Sequence, residues 1–379
     1  MLLSDSHLRS DPIWVRHLLK WYDSNKRDFP WRRKISTYHT WICEVMSQQT
    51  TMAVVVPRFS TFIETLPNVN DLAQAPDELL RELWAGLGYY ARARNLRAGA
   101  RFIVSELKGR FPESYEDWLN VPGVGPYTAS VISSICYSVP KACVDGNVMR
   151  VVSRLTACSS AQLWNEEGRI AVQALVDNSI ARDRPGDFNQ AMMELGATLC
   201  QKRSPGCDEC PVRQYCLAKS NAIVELCPPN KPRKEFVPVY LLAFEVFSSE
   251  SLNTKSQVLL IEREQGFLSG TVGFPILRCE SASSQKQIHR NLSSLPEIGE
   301  VIFKDESINH TITNHKIQLS VVRINLKPNL SESNSQNGSA EKILKSIQVS
   351  TSSIHWVSKS HAQKRLASSL DRKIWEKFS

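Results

Sequence analysis

Four cysteines near the middle of the chain, Cys200, Cys207, Cys210 and Cys216, follow a C-x6-C-x2-C-x5-C spacing. Thiolates drawn from one short loop containing Pro and Gly can wrap a single centre without help from the rest of the fold. All-thiolate ligation selects zinc or an iron–sulfur group. Structural zinc sites usually pair two close C-x2–4-C knuckles. Only one close pair is present here and the outer gaps are long, so the spacing favours a [4Fe–4S] cluster. The competing reading is a set of buried free thiols in a reducing compartment.

A second constellation begins at Val121, where the chain reads VPGVGPYTAS. Gly123 and Gly125 permit a tight hairpin whose backbone N–H groups can approach a phosphate, and a helix N-terminus follows at Pro126. Contacts of that kind position DNA without reading its sequence. Taken alone, a GxG between apolar residues is more often a plain turn. Twenty residues after Gly125 comes Asp145, in VDGNVMRV. Beside a phosphate clamp, its carboxylate can face a reacting sugar; without one, it is a helix N-cap.

These groups must be positioned by folded elements, and the chain is long enough to supply them. Its 379 residues allow two domains, each with its own core. No run approaches the roughly 18 apolar residues that a membrane helix needs. The first twelve residues carry Asp5 and Asp11 and no apolar core, so they do not read as a signal peptide. Ten cysteines without such a signal point to a reducing cytoplasm, the six outside the loop being structural. A net charge of +8 suits a polyanionic partner but is weak support for one.

From Ile13 to about Cys200 the apolar period is helical, in segments such as DELLRELWAGLG and RIAVQALVDNSI. The expected organisation is an all-α domain over residues 1–222, ending in the cysteine loop. A Pro- and Lys/Arg-rich, exposed linker spans 223–237, and a second domain covers 238–379. VYLLAFEVF, QVLLIER, GEVIFK, KIQLSVVRINL and IHWVS in that domain predict short strands. The stretch HAQKRLASSLDRKIWEKF predicts a helix, so this domain reads as α+β with an antiparallel or mixed sheet. Residues 329–342, low in apolar content, read as a mobile loop.

The hairpin, the Asp and the cysteine loop, in that order, resemble the endonuclease III superfamily of helix-hairpin-helix DNA glycosylases, and within it the MutY adenine glycosylases. FPWR (Phe29–Arg32), WICEVMSQQT (Trp41–Thr50), GLGYYARARNL (Gly86–Leu96), VPGVGPYTA, VDGNVMRV and FNQAMMELGATLC (Phe188–Cys200) match that family's motifs in order. The resemblance implies a [4Fe–4S] cluster on the four cysteines and a duplex DNA partner with adenine opposite 8-oxoguanine or guanine. It also implies a monomer, cytoplasmic and DNA-associated.

Bifunctional members carry a Schiff-base Lys where this chain has Tyr127. A phenol cannot form an imine, so monofunctional hydrolysis is what remains. Glu44 lies among apolar residues on an expected helix, where burial raises a carboxyl towards a usable acid. With Asp145 it makes a two-carboxylate site of the kind that cleaves glycosidic bonds. By resemblance, Glu44 protonates N7 of a flipped adenine and Asp145 stabilises the sugar cation, with Tyr127 and Asn147 assisting. Gln49 and Tyr89 would fill the gap left in the duplex. Trp31, Arg32 and Gln190 would line the adenine pocket. Arg92, Arg94, Arg97 and Arg101 lie along one expected helix, where some would meet phosphates.

The match departs from the family at three places. Ser47 stands where Leu is usual, Met149 replaces a common basic residue, and the HTFSH-like run reads His310-Thr311-Ile312-Thr313-Asn314. There Thr313 can replace a Ser hydroxyl and Asn314 replaces the lesion-reading His. His315 would serve only if the loop shifted, since on a regular strand it faces the opposite side. The second domain is similar to a Nudix fold, but between Gly266 and Leu295 its only acid is Glu280. It therefore reads as a lesion-recognition domain and not as a second enzyme. Two alternatives are a thymine glycosylase for G·T mismatches and a catalytically idle DNA-binding protein.

Overall fold

Apolar residues recurring every three to four positions make the first part of the chain helical, as the pattern requires. The computed structural model describes residues 3, 8, 13–232, 235–248, 256–266, 268–293, 299–326, 333–366 and 368–378. By its internal contacts the chain divides into two units, Met1–Pro232 and Arg233–Ser379.

The first unit opens with α1 (Ile13–Asn25), α2 (Pro30–Arg33), α3 (Thr37–Ser47), α4 (Met52–Thr65), α5 (Val69–Gln74) and α6 (Asp77–Leu83). It continues with α7 (Ala91–Ser105), α8 (Tyr115–Trp118), α9 (Pro126–Tyr137), α10 (Gly146–Leu155), α11 (Glu166–Ser179), α12 (Pro185–Thr198) and the short α13 (Leu217–Ser220). Two cores form. Trp41, Phe62, Trp84 and Trp118 centre one among α3 to α9. Leu18, Tyr22, Val152 and Phe188 centre the other among α1, α10, α11 and α12. Glu44 and Tyr127 stand on helices of the first core, α3 and α9, and Asn147 on α10 of the second.

The second unit is built on a mixed sheet ordered β3-β2-β1-β6-β5, with β4 paired to β1 and β7 to β2. Its strands are β1 (Val237–Phe247), β2 (Gln257–Arg263), β3 (Val272–Gly273), β4 (Ile276–Cys279), β5 (Glu300–Ile312), β6 (His315–Asn325) and β7 (Thr351–Ser358). β1 runs parallel to β6, whereas β5 and β6 form an antiparallel hairpin. Along β1, Leu241 and Ala243 bury into one core while Leu242, Phe244 and Val246 bury into another. A strand covered on both faces needs an unbroken apolar run, which is what VYLLAFEVF supplies.

Helices α14 (Ala282–Ser293) and α15 (Ser333–Ser346) contribute to one of these cores, and α16 (Lys359–Arg365) and α17 (Ser369–Phe378) to the other. Arg263 of β2 pairs with Asp371 of α17 in a buried ion pair.

Two sequence expectations are corrected. Residues 333–342 are helical, because the apolar period Ala340, Ile343, Leu344, Ile347 runs past the end of the polar stretch and packs into the core; residues 329–332 lie outside the described residues. The C-terminal stretch is helical as expected, in two helices, α16 and α17. The segment expected as an exposed linker is tied down in its first half: Cys227 is buried, its carbonyl accepts from Arg154 Nε at 2.8 Å, and the Pro229 carbonyl accepts from Trp164 Nε1 at 2.8 Å. Residues 233 and 234 of that segment lie outside the described residues.

Candidate active site

Ser36 starts α3 by accepting a hydrogen bond from His39 N, and Trp41, Ile42, Val45 and Met46 lock the helix into the core. That packing turns Glu44 towards a cavity of about 440 Å³. Tyr127 from the first turn of α9, Asp145 and Asn147 from the start of α10, and Trp31, Arg32 and Gln49 line the same cavity. Seven residues from four separate motifs thus converge on one space.

The two readings of Asp145 turn out to be compatible. Its Oδ1 accepts from Val148 N at 2.8 Å and caps α10, while Oδ2 accepts from the Asn147 amide at 3.0 Å. Asn147 is itself held by Arg150, whose Nη2 donates to its Oδ1 at 2.9 Å. Arg150 also donates to the Gly196 carbonyl at 2.7 Å and, through Nε, to the Cys200 carbonyl at 2.7 Å. Gly196 is needed for this approach, because a Cβ there would stand 2.6 Å from Asn147 Cβ. Arg150 escaped the sequence reading, although VDGNVMRV contains it and an i, i+3 spacing from Asn147 signals a shared helix face.

Burial pushes the Glu44 carboxyl up to about 7, with the nearby Asp145 charge adding to the effect. A hydrogen bond with Tyr127 and the Arg32 charge oppose it. Burial also raises Asp145, but the Val148 and Asn147 donors and the Arg150 charge pull it back. Tyr127 is pushed well above its ordinary range by burial and both carboxylates, so it stays a neutral phenol. Its hydroxyl lies 3.1 Å from Met193 Sδ. One carboxyl short of donors and one well supplied with them is the pattern that separates a proton donor from a lasting anion.

Trp31 stacks on Phe29 with centroids 4.9 Å apart and meets Phe59 edge-on at 5.0 Å. Arg32 lies over the rings of Tyr22 and Phe29 and donates from Nη2 to Glu194 Oε2 at 2.9 Å. Its Nε donates to Gln190 Oε1 at 3.1 Å. Gln190 therefore holds Arg32, which lines the cavity. Glu194, only 1% exposed, also pairs with Arg27. Both were missed, because an acid four residues after Gln190 in an apolar helix gives no signal of its cationic partners.

Gln49 and Tyr89 share an unusual backbone, with φ of 58° and 48°. Tyr89 is 55% exposed. At the hairpin, Val121 and Val124 are buried anchors, Gly123 has φ 80°, and a Cβ on it would lie 2.6 Å from Asn95 Cβ. Gly125 caps α9 with open space around it. Three of the four arginines of α7 bond within the unit. Arg92 is bonded inward, Arg97 pairs with Asp77 and donates to the Ala75 carbonyl, and Arg101 donates to the Ala73 carbonyl. They clamp neighbouring loops.

Residues 42–170 match the family described as HhH-GPD superfamily base excision DNA repair protein. The matched stretch lies within the helical unit. Over 219 residues, or 53% of its length, the chain is 44% identical to the human adenine DNA glycosylase, of which this covers 38%. Over 312 residues, 71% of its length, it is 36% identical to the Arabidopsis thaliana adenine DNA glycosylase, covering 48% of that protein. The chain thus spans less than half the length of these curated relatives. Among solved structures, a thermostable thymine-DNA glycosylase superposes with a TM-score of 0.52 at 25% identity, over 56% of this chain and 97% of that one.

In the helical unit the cysteine loop follows α12 directly. Arg154, 3% exposed, donates to Cys200 Sγ at 3.3 Å and to the Gln201 carbonyl at 2.7 Å. Burial pushes the Cys210 thiol up to about 12, and Cys200, Cys216 and Cys207 each add to the rise. Among the described residues, no three His, Cys, Asp or Glu side chains converge as a ready single-ion cage.

In the second unit, Thr313 and Asn314 form the two-residue turn between β5 and β6. Thr313 has φ 54°, rare for a β-branched residue. His315, the first residue of β6, brings its Nδ1 within 3.3 Å of the Thr313 hydroxyl. Asn314 donates to the Glu235 carbonyl at 3.3 Å. No helix among the described residues is long and apolar enough to cross a membrane.

Proposed function

We propose that the chain is a monofunctional adenine DNA N-glycosylase acting on adenine opposite 8-oxoguanine or guanine in duplex DNA. The observation that carries this reading is Glu44, its carboxyl raised by burial, on one cavity with an Asp145 carboxylate held by its own donors. The similarity to adenine DNA glycosylases names the base. Adenine is a poor leaving group, so an acid is chemically required.

With adenine in the cavity, the Glu44 carboxyl gives its proton to N7. The C1′–N9 bond then breaks and its electron pair leaves with the base. The cationic sugar faces the Asp145 carboxylate, which Asn147 and Val148 N orient. Water adds to C1′ and returns a proton to the Glu44 carboxylate, leaving an abasic sugar. Tyr127 holds Glu44 by a hydrogen bond and offers no amine, so the sugar–phosphate chain is not cut by an imine route. Trp31 and Arg32 bound the base, while Gln49 and Tyr89 enter the stack it leaves. The hairpin at Gly123 and Gly125 supports the backbone. On the far side of Tyr127 and Asp145, a cleft of about 700 Å³ carries Lys141, Arg169 and Lys231, a chemistry suited to phosphates.

Cys200, Cys207, Cys210 and Cys216 would hold a [4Fe–4S] cluster. Their support is the spacing, the mutual influence of the thiols and the Arg154 cation beside Cys200. Bound there, the group would supply rigidity to a basic loop beside the DNA. The second unit would be a Nudix-like reader of the opposite base, with Thr313, Asn314 and His315 at its tip.

Single-turnover base release from duplexes carrying A opposite 8-oxoguanine, A opposite guanine and T opposite guanine tests the reading. Faster adenine release opposite 8-oxoguanine is expected. Equal adenine release leaves the chemistry and removes the reader role. Thymine release alone transfers the assignment to the activity of the thymine-DNA glycosylase it superposes on, and release from none refutes it.

A further inference from the structure

Gln49 and Tyr89 hold left-handed backbones that side-chain-bearing residues keep only where surrounding structure over-determines them. One side chain ties both segments together. Arg92, in the first turn of α7, sends Nη1 to the carbonyls of Val45 at 2.7 Å and Met46 at 2.9 Å, at the end of α3 just before Gln49. Its Nη2 donates to Thr50 Oγ1 at 3.2 Å, Leu87 O at 2.8 Å and Gly88 O at 3.1 Å. The guanidinium also lies over the rings of Trp84 and Tyr89, at 5.5 and 5.8 Å. Five acceptors on the two segments that flank Gln49 and Tyr89 therefore close around one planar cation. Carbonyls at a helix C-terminus carry the negative end of its dipole, which favours a cation there.

We propose that Arg92 is a positioning residue that fixes Gln49 and Tyr89 relative to one another, so that both enter the base stack as the target nucleotide leaves it. This rests on the reading above that these two side chains fill the vacated space. The side chain touches neither base nor sugar; it acts by holding the spacing of the two loops. A lysine keeps the charge but presents its donors from one point and cannot span both carbonyl sets as the planar fork does.

The test compares the full-length protein with R92M and R92K on two duplexes. One carries adenine opposite guanine. The other carries adenine opposite an abasic gap, where little pairing or stacking opposes extrusion. A 2-aminopurine beside the adenine reports unstacking. R92M is expected to lose at least about tenfold in single-turnover release from the paired duplex, since extrusion costs a few kcal/mol, and to lose the fluorescence rise. Release from the gapped duplex should stay near that of the unmodified chain, and R92K should fall between. Equal losses on both duplexes would make Arg92 a general support of the fold and overturn the proposal, as would unchanged release from the paired one. Where R92M does not fold, the ratio of the two rates is read on R92K. If the unmodified chain releases adenine from neither duplex, the proposed function fails; if it releases adenine and the ratio does not change, only the role of Arg92 fails.

Discussion

The Asn147 amide nitrogen stands 3.0 Å from Asp145 Oδ2, while the backbone of Val148 occupies Oδ1 at 2.8 Å. The carboxylate is fixed in rotation by two donors, one to each oxygen, before any substrate arrives. Removing the side-chain donor isolates its share. N147A should lower single-turnover adenine release by about ten- to a hundredfold, the worth of a hydrogen bond to a charged group. Duplex affinity, measured by gel shift, should change little.

Glu44 must be protonated to act, so release should fall as pH rises through about 7. E44Q should abolish release and spare duplex binding; loss of both would refute its role as acid. Stability has its own signature. A carboxyl raised in the folded state favours folding while protonated, and that advantage is lost as pH rises from the unfolded value through the folded one. E44Q should therefore raise Tm relative to the unmodified chain at pH 8 and leave it unchanged near pH 4, as measured by thermal melts.

Gly196 has no room for a side chain, its added Cβ falling 2.6 Å from that of Asn147. G196A should cost about 1–3 kcal/mol of stability by overpacking. It should also lower adenine release through the displaced Asn147. Denaturant unfolding and single-turnover rates on the same preparation separate the two effects.

At the β5–β6 turn, the Thr313 hydroxyl and His315 Nδ1 lie 3.3 Å apart. N314H should sharpen the preference for 8-oxoguanine over guanine opposite adenine. An unchanged ratio of release rates would remove the turn from the reader role.

Replacing Cys207 by Ser should remove bound iron, measured against about four per chain in the parent protein if a [4Fe–4S] cluster is present. Because Arg150 links the Cys200 carbonyl to Asn147, release should fall together with iron content.

The helical unit was legible because Trp41, Ile42, Val45 and Met46 repeat at helical spacing, and the alternating cores of β1 followed from an unbroken apolar run. The cavity residues were legible as separate motifs. Their partners Glu194 and Arg150 were not, nor were the inward bonds of Arg92: these contacts span 162, 46 and 47 positions, and no local period records such distances. The helix beginning at Ser333 was missed because its apolar period lies in its last two turns, beyond the polar run that caught the eye.

Asp145 answers to two masters, the first turn of α10 and the cavity, with one oxygen for each. A chain that drifted to Ala here would lose chemistry and helix initiation in one step. Asn, by contrast, keeps an oxygen for the cap and surrenders the negative charge together with the acceptor for the Asn147 amide. An inert but well-folded version of this protein is therefore one atom away, and D145N, not D145A, is the form with which to trap it on its DNA.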